Sequence, residues 1–224
     1  MSKRLLLALM CAVPCLVAAQ PRLAVRWHPD LKLDSLAGLD AALDAPVHQD
    51  MWVGRGARDH VVDTCRQFFE ATASGLRPYN SLDYKKVVGF NWRCFALRDL
   101  ATAKEPVVSY VPDHWSADIA PLIPRVFDDQ TTFGNGTSVL WAGATLTEVT
   151  GDRLTIVSPD VEALWVTLLA FGDFNGDGFG DLAVYYEAWR LNDAYVVLTR
   201  CTSTGTFKVV RDSRHPGQTE TRCP

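Results

Sequence analysis

Basic charge is in short supply in this chain. Its 224 residues hold 22 Lys and Arg against 26 Asp and Glu. Removing Lys3 and Arg4 with the leader discussed below leaves 20 against 26, a formal charge of −6. That balance argues against nucleic acid or an anionic membrane as partner. Beyond the first twenty residues no apolar run approaches the roughly 20 residues that a membrane span needs. There is no GxSxG, no HExxH and no Walker loop, so the familiar signatures of a hydrolase nucleophile, a catalytic zinc or a phosphate cradle are absent. No cysteines stand in CxxC spacing and no two of the five His lie three to five residues apart, which weighs against a zinc site. Acidic pairs such as Asp128-Asp129 lie on polar stretches and read as a solvated face. With no catalytic constellation, the expectation is a binding protein and not an enzyme.

What is present begins with an export signal over residues 1–19. Lys3 and Arg4 precede an apolar run from Leu5 to Val17, and Val17-Ala18-Ala19 places small residues for cleavage after Ala19. Cys11 and Cys15 lack the preceding residues of a lipid-anchor signal, so a soluble periplasmic or secreted protein is expected. Cys65, Cys94, Cys201 and Cys223 remain. An even count in an exported chain reads as disulfides, and four cysteines allow three connectivities. The pairs Cys65–Cys94 and Cys201–Cys223 are favoured because each lies within one local segment.

Periodicity divides the rest. Residues 20–56 give a weak, irregular signal with a short helix between Leu33 and Leu43. Residues 57–137 form a helical region. Val61, Val62, Cys65, Phe68, Phe69 and Thr72 recur at three- and four-residue steps, predicting a helix from Arg58 to Ala73. A second is expected from Asn80 or Ser81 to about Ala103, and a short third from Ser116 to Phe127. The first two make a helical hairpin with one Cys on each arm. From 138 to 211 the period becomes two. Strands are expected at Thr145–Val149, Arg153–Val157, Leu164–Phe171, Leu182–Trp189, Ala194–Arg200 and Thr206–Val210. Short links imply an antiparallel meander. Residues 212–224 read as a polar, irregular tail. The fold class is therefore α+β: an N-terminal helical hairpin packed on a C-terminal antiparallel β-meander. His28 and His48 stand alone and read as surface or packing residues.

The chemistry is concentrated in FGDFNGDGFGD, Phe171 to Asp181. Oxygen side chains stand at Asp173, Asn175, Asp177 and Asp181, positions one, three, five and nine of a nine-residue loop, with Gly178 at six. This is the ligand spacing of the first part of an EF-hand loop. An EF-hand also needs a Glu at position twelve and flanking helices. Position twelve here is Val184, and both flanks are rich in β-branched and aromatic residues, as strands are. The stretch therefore resembles the calcium loop of FG-GAP and VCBS-type repeats, known from integrin-like propellers and exported bacterial proteins. The resemblance implies Ca²⁺ held by Asp173, Asn175, Asp177, Asp181 and the carbonyl of Phe179, with the ion in a structural role. A second DxNxDGxxD does not occur, so a propeller is excluded. The resemblance further implies action by contact with another protein, a partner in the cell envelope that the sequence does not identify. One form of that would be inhibition of, or immunity to, a cell-wall hydrolase. An envelope hydrolase stabilised by the ion is the alternative.

Overall fold

The structure is a computed structural model that describes residues 23–47, 51–54, 60–78, 81–112, 114–116, 145–158, 161–188, 194–213 and 220–224. The expected export signal, the expected helix after Ser116 and the expected polar loop around Asn135 lie outside them.

The C-terminal half is the expected meander. Strands β5 (Thr145–Val149), β6 (Arg153–Ser158), β7 (Val161–Gly172), β8 (Asp181–Ala188), β9 (Ala194–Thr199) and β10 (Lys208–Asp212) lie side by side in chain order, each antiparallel to the next. The central strands are apolar on both faces. In β9, Tyr195 and Val197 enter one core with Leu169, Ala170 and Ala183, while Ala194, Val196 and Leu198 enter a second with Leu154, Val166, Leu182, Val184 and Tyr186. A short continuous apolar run of this kind is what a strand buried on both sides requires.

The upstream helices cover the first face. Helix α1 is Leu39–Asp44, α2 is Cys65–Ala73 and α3 is Ser81–Thr102. From α3, Cys94, Ala96, Leu97 and Leu100 press on the sheet, and Leu31, Leu39 and Phe68 complete the layer. Burying each such Leu contributes roughly 1.5–3 kcal/mol. Trp115, buried and donating its indole N–H to the Val166 carbonyl at 3.2 Å, is set into the other face.

Two elements depart from the sequence reading. The helix expected from Arg58 begins at Cys65, because Thr64 and Gln67 form a capping box: the Thr64 hydroxyl accepts from the Gln67 N–H, and the Gln67 side chain accepts from the Thr64 N–H. Before it, β3 (His60–Val62) pairs with β2 (Met51–Gly54), which also pairs with β4 (Arg77–Pro78) in a small second sheet. Val61 and Val62 are β-branched, and strand pairing outweighed their helical spacing. Within 20–56 the expected short helix forms as α1, and the stretch read as irregular also supplies β2 and a further strand, β1 (Arg26–Trp27), which joins the large sheet opposite Phe171 and Ala170 of β7. Since β8 occupies one edge of β7 there, β1 lies on the other, in line with β6. His28 ties that junction. Its main-chain N–H reaches the Leu169 carbonyl at 2.7 Å, and its ring Nε2 meets the Asp152 carboxylate just before β6.

Both disulfides form as favoured. Cys65–Cys94 joins α2 to α3 and Cys201–Cys223 joins the end of β9 to the tail, with Cα–Cα distances of 5.1 and 5.3 Å. Cross-links closing loops of this size contribute about 3 kcal/mol each in the chain-entropy account. Among the described residues no helix is long and apolar enough to cross a membrane.

Candidate metal centre

Strands β7 and β8 are the longest pair in the sheet, and the loop between them is Asp173–Gly180. Its path is tight. Gly176 and Gly178 have φ of +73° and +86°, a region that costs an L-residue of other type about 1–2 kcal/mol. Phe171 and Phe174, on either side of its start, are buried in different cores and anchor that end.

Five residues were singled out by spacing, and the structure brings them into one turn. Asp173 and Asn175 are buried, Asp181 is wholly enclosed, and Asp177 and Phe179 are half-buried. Main-chain N–H groups orient the carboxylates. Asp173 Oδ1 accepts from Gly176 at 2.7 Å and Asp177 at 3.2 Å, and its Oδ2 from Gly178 at 3.0 Å. Asp177 Oδ1 accepts from Phe179 at 2.9 Å. Asn175 Oδ1 accepts from the Asp177 N–H at 3.0 Å. Asp181 Oδ2 accepts from Phe174 at 2.9 Å.

These bonds do not exhaust the oxygens. An ionised carboxylate offers about four lone-pair sites. Asp173 and Asp177 each use three, and Asp181 Oδ1 is buried without a hydrogen-bond partner. Among the described residues none of the three carboxylates forms an ion pair, although the Lys104 ammonium lies near Gly176. Three acids thus share one turn without a counter-charge in contact. The Asp181 carboxyl is pushed up to about 7, chiefly by burial. The charges of Asp177 and Asp173 push the same way, against the Phe174 and Thr199 bonds. A hard divalent cation is the group that would satisfy the orphaned Oδ1 and offset this repulsion. Among the described residues no three His, Cys, Asp or Glu side chains stand together as a ready metal centre. The set under consideration differs in kind: it includes an amide and a carbonyl, and its carboxylates are turned to their own N–H groups.

Two segments that the sequence reading did not connect to the loop hold it on opposite sides. The stretch after α3 runs beside it: Lys104 and Asp173 exchange main-chain hydrogen bonds at 3.0 and 2.9 Å, Val107 and Val108 donate to the Gly178 carbonyl, and Gly180 donates to Val108. The approach is close at Gly180, where a Cβ would stand 2.7 Å from Ser109 Oγ and 2.9 Å from the Phe171 ring. The tail holds the other side. The Cys223 N–H donates to Asp177 Oδ2 at 2.8 Å, and Asn175 Nδ2 donates to the Thr221 carbonyl at 3.0 Å. Thr199 lies opposite Asp181 in the sheet, so a disulfide from Cys201 draws its partner to the loop.

Elsewhere, a cavity of about 230 Å³ lies at the β1–β6 junction, lined in part by Arg26, Trp27, His28, Asp152 and Phe171. Its one histidine and one carboxylate are committed to each other, and no Ser, Thr or Cys is among the residues lining it.

Residues 165–197 match the family model of the FG-GAP repeat. The matched stretch runs from β7 through the loop and β8 into β9. No curated protein and no solved structure matches the chain.

Proposed function

We propose that this is an exported protein that binds Ca²⁺ at the β7–β8 loop and acts by contact with a partner protein in the cell envelope. The ligands are Asp173, Asn175, Asp177, Asp181 and the Phe179 carbonyl. The observation that carries the reading is Asp181 Oδ1, a carboxylate oxygen buried beside two other acids with nothing to bond. Calcium suits the site better than magnesium, which keeps several waters and uses one or two carboxylates. With most positions taken by protein oxygens the ion clips β7 to β8. Sites in extracellular modules bind with Kd of about 10⁻⁴ to 10⁻³ M. FG-GAP repeats occur in extracellular interaction domains, and two disulfides suit an oxidising compartment.

Thermal melting tests the ion. With millimolar Ca²⁺ the melting temperature should rise by several degrees over the value in EDTA, as mass action requires for a ligand of the native state. Asp173→Ala/Asp177→Ala should abolish the rise. Superimposable curves for the wild type in Ca²⁺ and EDTA would end the calcium reading. Recovery of the same envelope protein with the wild type in Ca²⁺, and not with the double variant, would support the partner reading.

A further inference from the structure

We infer that the C-terminal tail is a working part of the cation site, held in place by Cys201–Cys223, so that the redox state of this disulfide sets the affinity for the ion. The inference rests on the calcium reading of the loop and goes beyond it by naming a regulator.

The loop takes outer support from the tail at two of its ligands. Asp177 Oδ2 receives the Cys223 N–H at 2.8 Å, and Asn175 Nδ2 gives a hydrogen bond to the Thr221 carbonyl at 3.0 Å. Asn175 Nδ2 also reaches Asp177 Oδ2 at 3.1 Å, so tail, amide and carboxylate form one chain of bonds. Groups that orient metal ligands from behind are worth about 10–100-fold in metal affinity. Cys223 itself is buried, and its sulfur lies 3.7 Å from the Thr199 hydroxyl, beside the strand position opposite Asp181.

What keeps the tail there is chiefly covalent. Among the described residues its non-covalent contacts include the hydrogen bonds to Asn175 and Asp177 and the Arg211–Glu220 ion pair, with Glu220 about one-third exposed. Cys201 is half-buried, less enclosed than Cys223. A dithiol reductant attacks one sulfur, forms a mixed disulfide, then closes on itself. The S–S bond breaks, the two cysteines take up two electrons and two protons, and the reductant leaves as its cyclic disulfide. The residues from Thr221 to Cys223 are then held only by the Glu220 contact and their own hydrogen bonds. Asp177 and Asn175 lose their fixed partners, and affinity falls.

Linkage makes the effect reciprocal: if the disulfide strengthens calcium binding, calcium strengthens the disulfide by the same factor. The test has two arms. In the first, calcium titration calorimetry compares the oxidised wild type, Cys201→Ser/Cys223→Ser and Cys65→Ser/Cys94→Ser, each checked for folding by circular dichroism. The first pair should bind about tenfold more weakly, the lower end for an outer-shell partner. The second pair, remote from the loop, should match the wild type. In the second arm, the wild type is equilibrated in reduced and oxidised dithiothreitol with Ca²⁺ or EDTA, alkylated and peptide-mapped. Calcium should shift Cys201–Cys223 to a more reducing potential by about 30 mV, the equivalent of tenfold for two electrons, and leave Cys65–Cys94 where it was. Global stabilisation alone protects both disulfides, so equal protection overturns the inference. Unchanged affinity in the Cys201→Ser/Cys223→Ser protein overturns it while leaving the calcium site standing. An oxidised wild type that binds no calcium overturns both. Should a variant not fold, the second arm decides on the wild type alone.

Discussion

At the scale of single residues the loop separates two costs that glycine avoids. At Gly178 the backbone has φ of +86° and the nearest side chain to an added Cβ is Val107 at 3.8 Å, so Gly178→Ala meets strain without collision. About 1–2 kcal/mol is expected. At Gly180 an added Cβ meets Ser109 and Phe171 within 3 Å, and Phe171 is locked in a core. Gly180→Ala should cost more, about 2–3 kcal/mol of overpacking, and urea unfolding of the two variants measures the order. Asp181 gives the pH dependence. Its folded carboxyl titrates near about 7 against 3.8 for the free group. Between these values the folded state holds a proton that the unfolded chain has released. Stability from this group is therefore full below 3.8 and is lost as pH rises to 7. In EDTA the wild type should lose on the order of 2–4 kcal/mol relative to Asp181→Asn between pH 4 and pH 7. Parallel pH profiles for the two proteins would remove Asp181 from that role. The oxygen-bearing side chains of the loop were legible because the tight turn sets them at a recognisable spacing. The supports at Val107, Val108 and Cys223 were not. They act through main-chain N–H and C=O groups, which every residue except proline carries alike.

Among elements, the strands of the meander and helix α3 were read from periodicity, and the short N-terminal strands were not. In β9 the alternation of Tyr195 and Val197 with Ala194, Val196 and Leu198 is written in residue type, and the two cores follow it. Around Val61 and Val62 helical spacing and strand propensity compete, and only the pairing with β2, distant in sequence, decides. The N-terminal strand β1 was missed because two residues carry no period. Its place depends on His28 meeting Asp152 across 124 positions. The joint between α3, the sheet and the tail was equally hidden. Asp99 on α3 is 2% exposed, accepts from the Tyr195 hydroxyl on β9 at 2.7 Å, and meets the Arg211 guanidinium on β10. Burial, with the Asp99 charge beside it, pushes the Tyr195 phenol well above its usual range. Arg211 in turn reaches Glu220 of the tail. Removing Asp99 leaves the buried Tyr195 hydroxyl without its acceptor and takes one of two carboxylates from Arg211, which together cost about 3 kcal/mol. Tyr195→Phe removes one hydrogen bond to a charge, worth about 1.5–3 kcal/mol. Denaturant titration should therefore rank Asp99→Ala above Tyr195→Phe. The reverse order would mean that the α3–sheet joint is made by apolar packing, with Asp99 incidental to it.

For the whole molecule, the loop sits where three separate segments meet, and that position decides what the ion does to the fold. The β7–β8 strands run through both cores, the 104–108 segment leaves α3 to bond the loop, and the tail returns through Cys201–Cys223. The centre of the sheet does not depend on the loop. Val184, Val196 and Leu198 are fully buried in one core, and Ala183 and Val197 in the other. Loss of calcium should then open the meeting point as one unit and leave the sheet folded, a sub-global opening of lower free energy than unfolding. Amide exchange reads this directly. In EDTA the N–H groups of Lys104, Val107, Val108 and Gly180, all bonded across the loop, should exchange at least tenfold faster than in Ca²⁺, and the Cys223 N–H with them. Those of Val184 and Val196, paired in the middle of the β8–β9 ladder, should change far less, because they exchange through unfolding of the sheet. Uniform acceleration at every amide would make the ion a global stabiliser. No acceleration at Val107, Val108 or Gly180 would mean that hydrogen bonds alone hold the three segments together, and the cation would have no part in joining them.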